Sequence, residues 1–150
     1  MSMGLNVDLV GKTYPPQVYE VGREKVREFA SAVGDPNPAY HDVDAARALG
    51  HADLVAPPTF AVVVTRGPQL AVIDDPDLGL DFSRVVHGDQ KFAFARPIVA
   101  GDLLHTTASV ASARTMAGND ILTIRSDVAD GDGAADVSVF ATLVARAVEV

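Results

Sequence analysis

The chain predicts an α+β fold in which one long helix lies on a curled antiparallel sheet. Three observations lead there. Apolar residues at helical spacing dominate the first half, and alternating β-rich runs broken by glycine turns dominate the second. Between them, residues from about Thr59 to Ile73 are apolar nearly all round. At 150 residues with 48% apolar content, the chain suits one packed domain covering 1–150.

The elements follow in order. Residues 1–18 read as irregular, with Gly11 and the Pro15-Pro16 pair as breakers, and Val18-Tyr19-Glu20-Val21 reads as a short strand. Over 23–33, Val26, Phe29, Ala30 and Val33 recur at helical spacing, with Arg23, Glu24, Arg27 and Glu28 opposite. Gly34 is a natural stop. Asp35-Pro36-Asn37-Pro38 cannot extend that helix, because each proline pushes the residue before it out of the α region. A short helix fits 43–49, closed by Gly50. Pro57 and Pro58 suit the first turn of the long helix, where amide protons have no intrahelical partner. A break is predicted near Gly67-Pro68. Ala61 to Thr65 is β-branched enough for a strand, but length and the proline start favour the helix. Runs at 91–95, 103–113, 121–128 and 136–147 read as strands. Gly101-Asp102, Ala117-Gly118-Asn119-Asp120 and Asp130-Gly131-Asp132-Gly133 separate them, which predicts a four-strand antiparallel meander.

Composition removes several function classes. Without cysteine there is no disulfide, thiolate metal site or thiol nucleophile. A formal charge of −8 and 6% aromatics argue against nucleic acid and anionic lipid as partners. No apolar run approaches the roughly 20 residues of a membrane span. Met1-Ser2-Met3-Gly4-Leu5 lacks the parts of a signal peptide, so a cytoplasmic location is expected. No His-Glu-x-x-His, Gly-rich phosphate loop or Gly-x-Ser-x-Gly elbow occurs, so no metal or nucleotide is implied.

Four places could carry chemistry. Gly34-Asp35-Pro36-Asn37-Pro38-Ala39-Tyr40-His41-Asp42 puts a carboxylate and an imidazole on one stiff loop, as general acid–base work needs. The same Asp and Asn could equally cap local amides in Asx turns. Ala56-Pro57-Pro58-Thr59 starts the long helix, where free amides can bind an oxyanion, yet both prolines lack that proton. Thr59 retains a hydroxyl and an amide. His87-Gly88-Asp89-Gln90 reads as a polar turn entering a strand or as a substrate-lining loop. Arg96, before Pro97 and the Gly101-Asp102 turn, reads as a solvated side chain or a phosphate partner. Arg23, Lys25 and Arg27 form either a small basic patch or the solvated face of the first helix.

Taken together, the loop Gly34 to Asp42, the stretch Leu54-Val55-Ala56-Pro57-Pro58-Thr59-Phe60, and Gln90-Lys91-Phe92 with Arg96-Pro97-Ile98-Val99-Ala100-Gly101-Asp102 resemble the MaoC-like hydratases and dehydratases. Val86-His87-Gly88-Asp89-Gln90-Lys91-Phe92 and Ala56-Pro57-Pro58-Thr59-Phe60 resemble the substrate-binding subunit of the actinobacterial (3R)-hydroxyacyl-ACP dehydratase. The resemblance implies a hot-dog fold and reversible loss of water from a (3R)-3-hydroxyacyl thioester. In that family the loop reads Asp-x-Asn-Pro-x-His-x-Asp, and a glycine amide at the helix start serves as oxyanion donor. Here Asp35, Asn37, Pro38 and Asp42 match, but Tyr40 stands at the histidine position with His41 one place later. Pro57 falls where the glycine should be. Losing an oxyanion donor costs on the order of 10²–10³ in rate, and a displaced acid–base group a further ~10²–10⁴.

The resemblance therefore implies one half of a heteromeric dehydratase in fatty-acid-type metabolism, weak or inactive alone. This chain would shape the acyl tunnel, and a catalytic MaoC-like partner would supply the Asp and His. Asp35 and His41 remain the catalytic candidates. Asn37, Tyr40, Pro57, Thr59, Phe60 and His87 are the substrate-binding candidates. No cofactor is implied beyond the acyl-CoA or acyl-ACP substrate. A complete homodimeric (R)-specific enoyl hydratase using Asp35 and His41, and a non-catalytic acyl-thioester binding module, are the alternatives.

Overall fold

The structure, a computed structural model, describes residues 4–131 and 133–148. Met1 to Met3, and Asp132 of the third predicted turn, lie outside the described residues. The elements run β1 (Gln17–Glu20), α1 (Arg23–Ala32), α2 (Val43–Ala48), α3 (Ala61–Ile73), β2 (Val85–Phe94), β3 (Leu103–Met116), β4 (Asn119–Asp130) and β5 (Val137–Ala145).

The amphipathic α1 buries Val26 and Ala30 and half-buries Phe29. It closes in a Schellman motif: the Asp35 amide donates to Ala30 O (2.9 Å) and the Gly34 amide to Ser31 O (3.1 Å), with Gly34 at φ +74°. The long α3 buries Ala61, Val64, Thr65, Pro68, Val72 and Ile73. It runs unbroken through Gly67-Pro68, contrary to the predicted break. Pro68 is itself buried, so packing holds the turn where the missing amide weakens it. The expected all-round burial is also corrected. Val62 and Leu70 stay 38% and 37% exposed, on a stripe shared with Arg66 and Gln69.

The five strands form one antiparallel sheet in the order β1-β3-β4-β5-β2. Only β3, β4 and β5 make a meander. β2 pairs with β5 rather than β3, which corrects the four-strand meander. The link from β2 to β3 explains the crossover. It is held against the segment before α3, with the Ala56 amide on Ile98 O and the Ala100 amide on Leu54 O, both at 2.8 Å. That path carries the chain from β2 at one sheet edge to β3, beside β1 at the other. β3 and β4 are joined by Ala117-Gly118 with φ of 52° and 78°, a two-residue turn whose twist matches the strands.

The predicted polar turn His87-Gly88-Asp89-Gln90 is instead part of β2, with a bulge between His87 and Asp89. β2 is an edge strand, ten residues long and open along one side. Phe60 anchors the core at the start of α3: it is 0% exposed and meets Phe29 and Tyr19 edge-on at 5.5 Å and 6.3 Å between ring centres. Among the described residues, no helix is long and apolar enough to cross a membrane.

Candidate functional site

The Schellman ending of α1 delivers Asp35 onto a chain of Asx caps. Asp35 Oδ1 accepts from the Asn37 amide at 3.1 Å, and Asn37 Oδ1 accepts from the Ala39 amide at 3.1 Å. Asp42 Oδ1 accepts from the Asp44 amide at 2.9 Å and so caps α2. His41 turns back toward α1, with Nε2 3.0 Å from the main-chain oxygen of Asp35. Its own carbonyl accepts from Arg27 Nε at 2.9 Å. Asp35 and His41 thus share one shallow depression with Ser31, Gly34 and Pro36, but the imidazole meets the backbone of Asp35 and not its carboxylate.

Tyr40 packs in a small cluster with Ala39, Ala46 and Val55. Burial first, and then the Asp35 charge, push its phenol above the usual value. A phenol held neutral in this way is further from acting as a base. Asn37 is exposed.

The three motifs that carry the family resemblance meet in space. The Val55 amide donates to Ala39 O (3.2 Å), and Ala56 pairs with Ile98 as above. The loop Gly34 to Asp42 therefore docks on the segment before α3, which docks on the β2–β3 link. Pro57 caps the 3-10 turn Pro58–Phe60, which runs directly into α3. The first residue of that start with an amide proton is the exposed Thr59. Beside it lies a cleft of about 310 Å³ lined by Ala56, Pro58, Phe94, Arg96, Pro97 and Ile98. Phe60, one residue further on, faces the core.

Arg96 is one-third exposed, but its guanidinium is engaged by aspartates and not free for a phosphate. Nη1 bonds Asp102 Oδ2 (2.9 Å) and Pro97 O (3.1 Å). Nη2 lies 3.2 Å from Asp136 Oδ2 and 3.4 Å from Asp130 Oδ2, close enough for ion pairing though poorly aligned for a directed hydrogen bond. The basic patch on α1 is likewise neutralised: Arg23 pairs with Asp53, Lys25 with Glu28 and Arg27 with Glu24.

His87 sits elsewhere. It lines a groove of about 530 Å³ between the exposed stripe of α3 and the edge strand β2, with Val62, Arg66, Leu70, Phe82 and Gln90 among its walls. This groove shares no lining residue with the Asp35–His41 depression. Sequence reasoning passed over Arg66, whose signal was a lone cation in an apolar helix, and met Gln90 only as part of the His87–Gln90 segment. Among the described residues no cluster of His, Cys, Asp or Glu could hold a metal ion.

A long helix enclosed by a curled antiparallel sheet, with an Asp-Pro-Asn-Pro loop docked on the helix start, defines a hot-dog protein of the MaoC-like hydratase and dehydratase class. Residues 8–140 match the family described as FAS1-like, dehydratase domain region, and the chain belongs to it. It is 58% identical over 148 residues to a UPF0336 protein of Streptomyces coelicolor, covering 98% of this chain and 99% of that one. Among solved structures it is similar to the C-terminally truncated HadBC (3R-hydroxyacyl-ACP dehydratase) complex of Mycobacterium tuberculosis. There it shows 35% identity and a TM-score of 0.82, covering 91% of this chain and 97% of that one. It is also similar to a MaoC-like dehydratase, at 33% identity and a TM-score of 0.84, covering 93% of this chain but 42% of the other.

Proposed function

We propose that this chain is the acyl-binding half of a (3R)-3-hydroxyacyl-thioester dehydratase, working in reverse as an (R)-specific enoyl hydratase. A MaoC-like partner supplies the catalytic Asp and His. The reaction needs a base for the α-proton, an acid for the departing hydroxyl, and donors to the enolate-like thioester oxygen.

One observation carries the division of labour. In this chain the corresponding groups are engaged in holding the loop: the Asp35 carboxylate caps Asn37, and the His41 ring bonds a main-chain oxygen. Pro57 and Pro58 meanwhile leave the helix start without its first amide protons. The groove along α3 supports the acyl-binding part, since it is apolar over most of its wall and open along the unpaired edge of β2. A partner strand laid on that edge would close it. The similar HadBC protein is itself a complex. The thioester carrier, CoA or acyl carrier protein, is the only further component the chemistry requires.

The test is to assay the purified chain, alone and with a MaoC-like partner, for hydration of an enoyl thioester. Turnover should appear only with the partner and survive Asp35→Asn and His41→Ala in this chain. Strong activity of the chain alone overturns the division of labour. A second reading, a complete homodimeric hydratase, is favoured by the shared depression of Asp35 and His41. It requires that the same two substitutions abolish turnover by the chain alone.

A further inference from the structure

Charge along β2 follows a simple pattern. Between Arg84 and Arg96 the acidic and basic side chains are Asp89 and Lys91, one on each side of Gln90. Gln90 lines the groove, so Asp89 and Lys91 share the opposite, outer face of the strand. Their side chains are 53% and 72% exposed, and their own contact is loose, with Lys91 Nζ 3.7 Å from Asp89 Oδ2. Edge strands are commonly guarded by short length, by proline or by a lone charge. β2 instead ends the sheet with ten residues, no proline and one charge of each sign. Apolar residues stand exposed on it as well, Val86 at 42% and Phe94 at 40%.

Two copies of one strand can meet antiparallel about a two-fold axis normal to the sheet, and residues that face each other then point to the same side. A register centred on Asp89 sets carboxylate against carboxylate, and one centred on Lys91 sets ammonium against ammonium. Centred on Gln90, each Asp89 faces Lys91 of the other copy, and four charges alternate in sign around the axis. The bulge carries the match further. In a regular strand His87 and Gln90, three positions apart, would face opposite sides of the sheet. Gly88, the extra residue between the pairs His87–Leu143 and Asp89–Thr142, turns both to the groove side. With that residue taken up in each copy, His87 stands opposite Phe92 and Val85 opposite Phe94, inward-facing residues against inward-facing ones.

We infer that the β2 edge binds a second copy of this chain in the register centred on Gln90, with Asp89 and Lys91 as the residues that select it. The second copy takes the edge that the proposed function gives to a MaoC-like strand, so self-pairing and partner binding exclude one another. Self-pairing of this kind needs neither acyl binding nor turnover.

Sedimentation equilibrium of the full chain and its charge variants tests the register. The parent is expected to dimerise with a Kd below about 0.1 mM. Asp89→Lys sets like charges opposite at both positions, and so does Lys91→Asp, so each should weaken self-association about tenfold or more. Net charge alone would not weaken both, because the first change makes the chain less acidic and the second more so. The double change Asp89→Lys/Lys91→Asp restores opposite charges and should bring the dimer back to within about threefold of the parent. Mixed in equal amounts, the two single variants should pair with each other as tightly as the parent pairs with itself. Both positions are exposed, and thermal melts check that every variant is folded. A parent chain that stays monomeric overturns the inference, whether or not it pairs with a MaoC-like protein. Self-association indifferent to either charge reversal overturns it too, as does failure of the double change or of the mixture to restore pairing. Hydration of an enoyl thioester with the MaoC-like partner in excess reports separately on the proposed function.

Discussion

At Asp75 three donors converge on one carboxylate. Lys12 Nζ (2.6 Å) and Tyr14 Oη (2.7 Å) reach Oδ2, and the Asp77 amide reaches Oδ1 at 2.9 Å. The Lys12 ammonium first, then the Tyr14 hydroxyl, hold this carboxyl at about 2. The ordinary unfolded value is about 3.9, so the native state prefers the ionised form. The stabilisation is therefore complete above about pH 5 and is lost as pH falls from about 4 through 2. The urea midpoint of Asp75→Asn should lie below that of the parent chain at pH 7, and the gap should close between about pH 4 and 2. A gap that stays constant over that range would refute the account. Gly34 makes a second residue-scale prediction. Its φ of +74° lies in the left-handed region with open space around it, so Gly34→Ala pays strain without a clash. A loss of about 1–2 kcal/mol in denaturant unfolding is expected.

Elements here are held by their junctions. Phe60 ties the start of α3 to α1 and β1 through Phe29 and Tyr19, and is wholly buried. Phe60→Ala should cost about 3–5 kcal/mol, read from the shift in denaturant midpoint at constant slope. Arg96 ties the end of β2 to the turn before β3 and to the carboxylates flanking the β4–β5 turn. Its side chain is one-third exposed, so screening reduces what full burial would give. Arg96→Ala should cost about 1–2 kcal/mol, with the loss smaller in high salt. The bulge at Gly88 belongs to this scale too, because one inserted residue decides which side chains of β2 face α3.

For the whole molecule the open edge matters most. Phe82 is 59% exposed, and with Val62 and Leu70 it leaves an apolar strip beside an unpaired strand. Such a surface is characteristic of an association site. Phe82→Ser should change the unfolding free energy of the isolated chain by no more than about 0.5 kcal/mol. The same change should weaken assembly, with a partner or with a second copy, by about tenfold or more in sedimentation analysis. Assembly unaffected by the substitution would place the interface elsewhere.

The sequence by itself determined the α+β class, a short first strand and three helices ahead of the remaining strands, the caps at Gly34 and Gly50, and the Asp35–Asp42 loop. These rest on local period and turn chemistry, which act over a few residues. It also exposed the two departures from the family pattern, Tyr40 and Pro57, since these are matters of residue type. Only the tertiary structure decided that β2 lies beside β5, that α3 continues through Pro68, that Arg96 is enclosed by aspartates, and that a bulge turns His87 and Gln90 to one side. Each of those depends on what stands opposite a residue across the fold, and chain period carries no record of a neighbour many residues away.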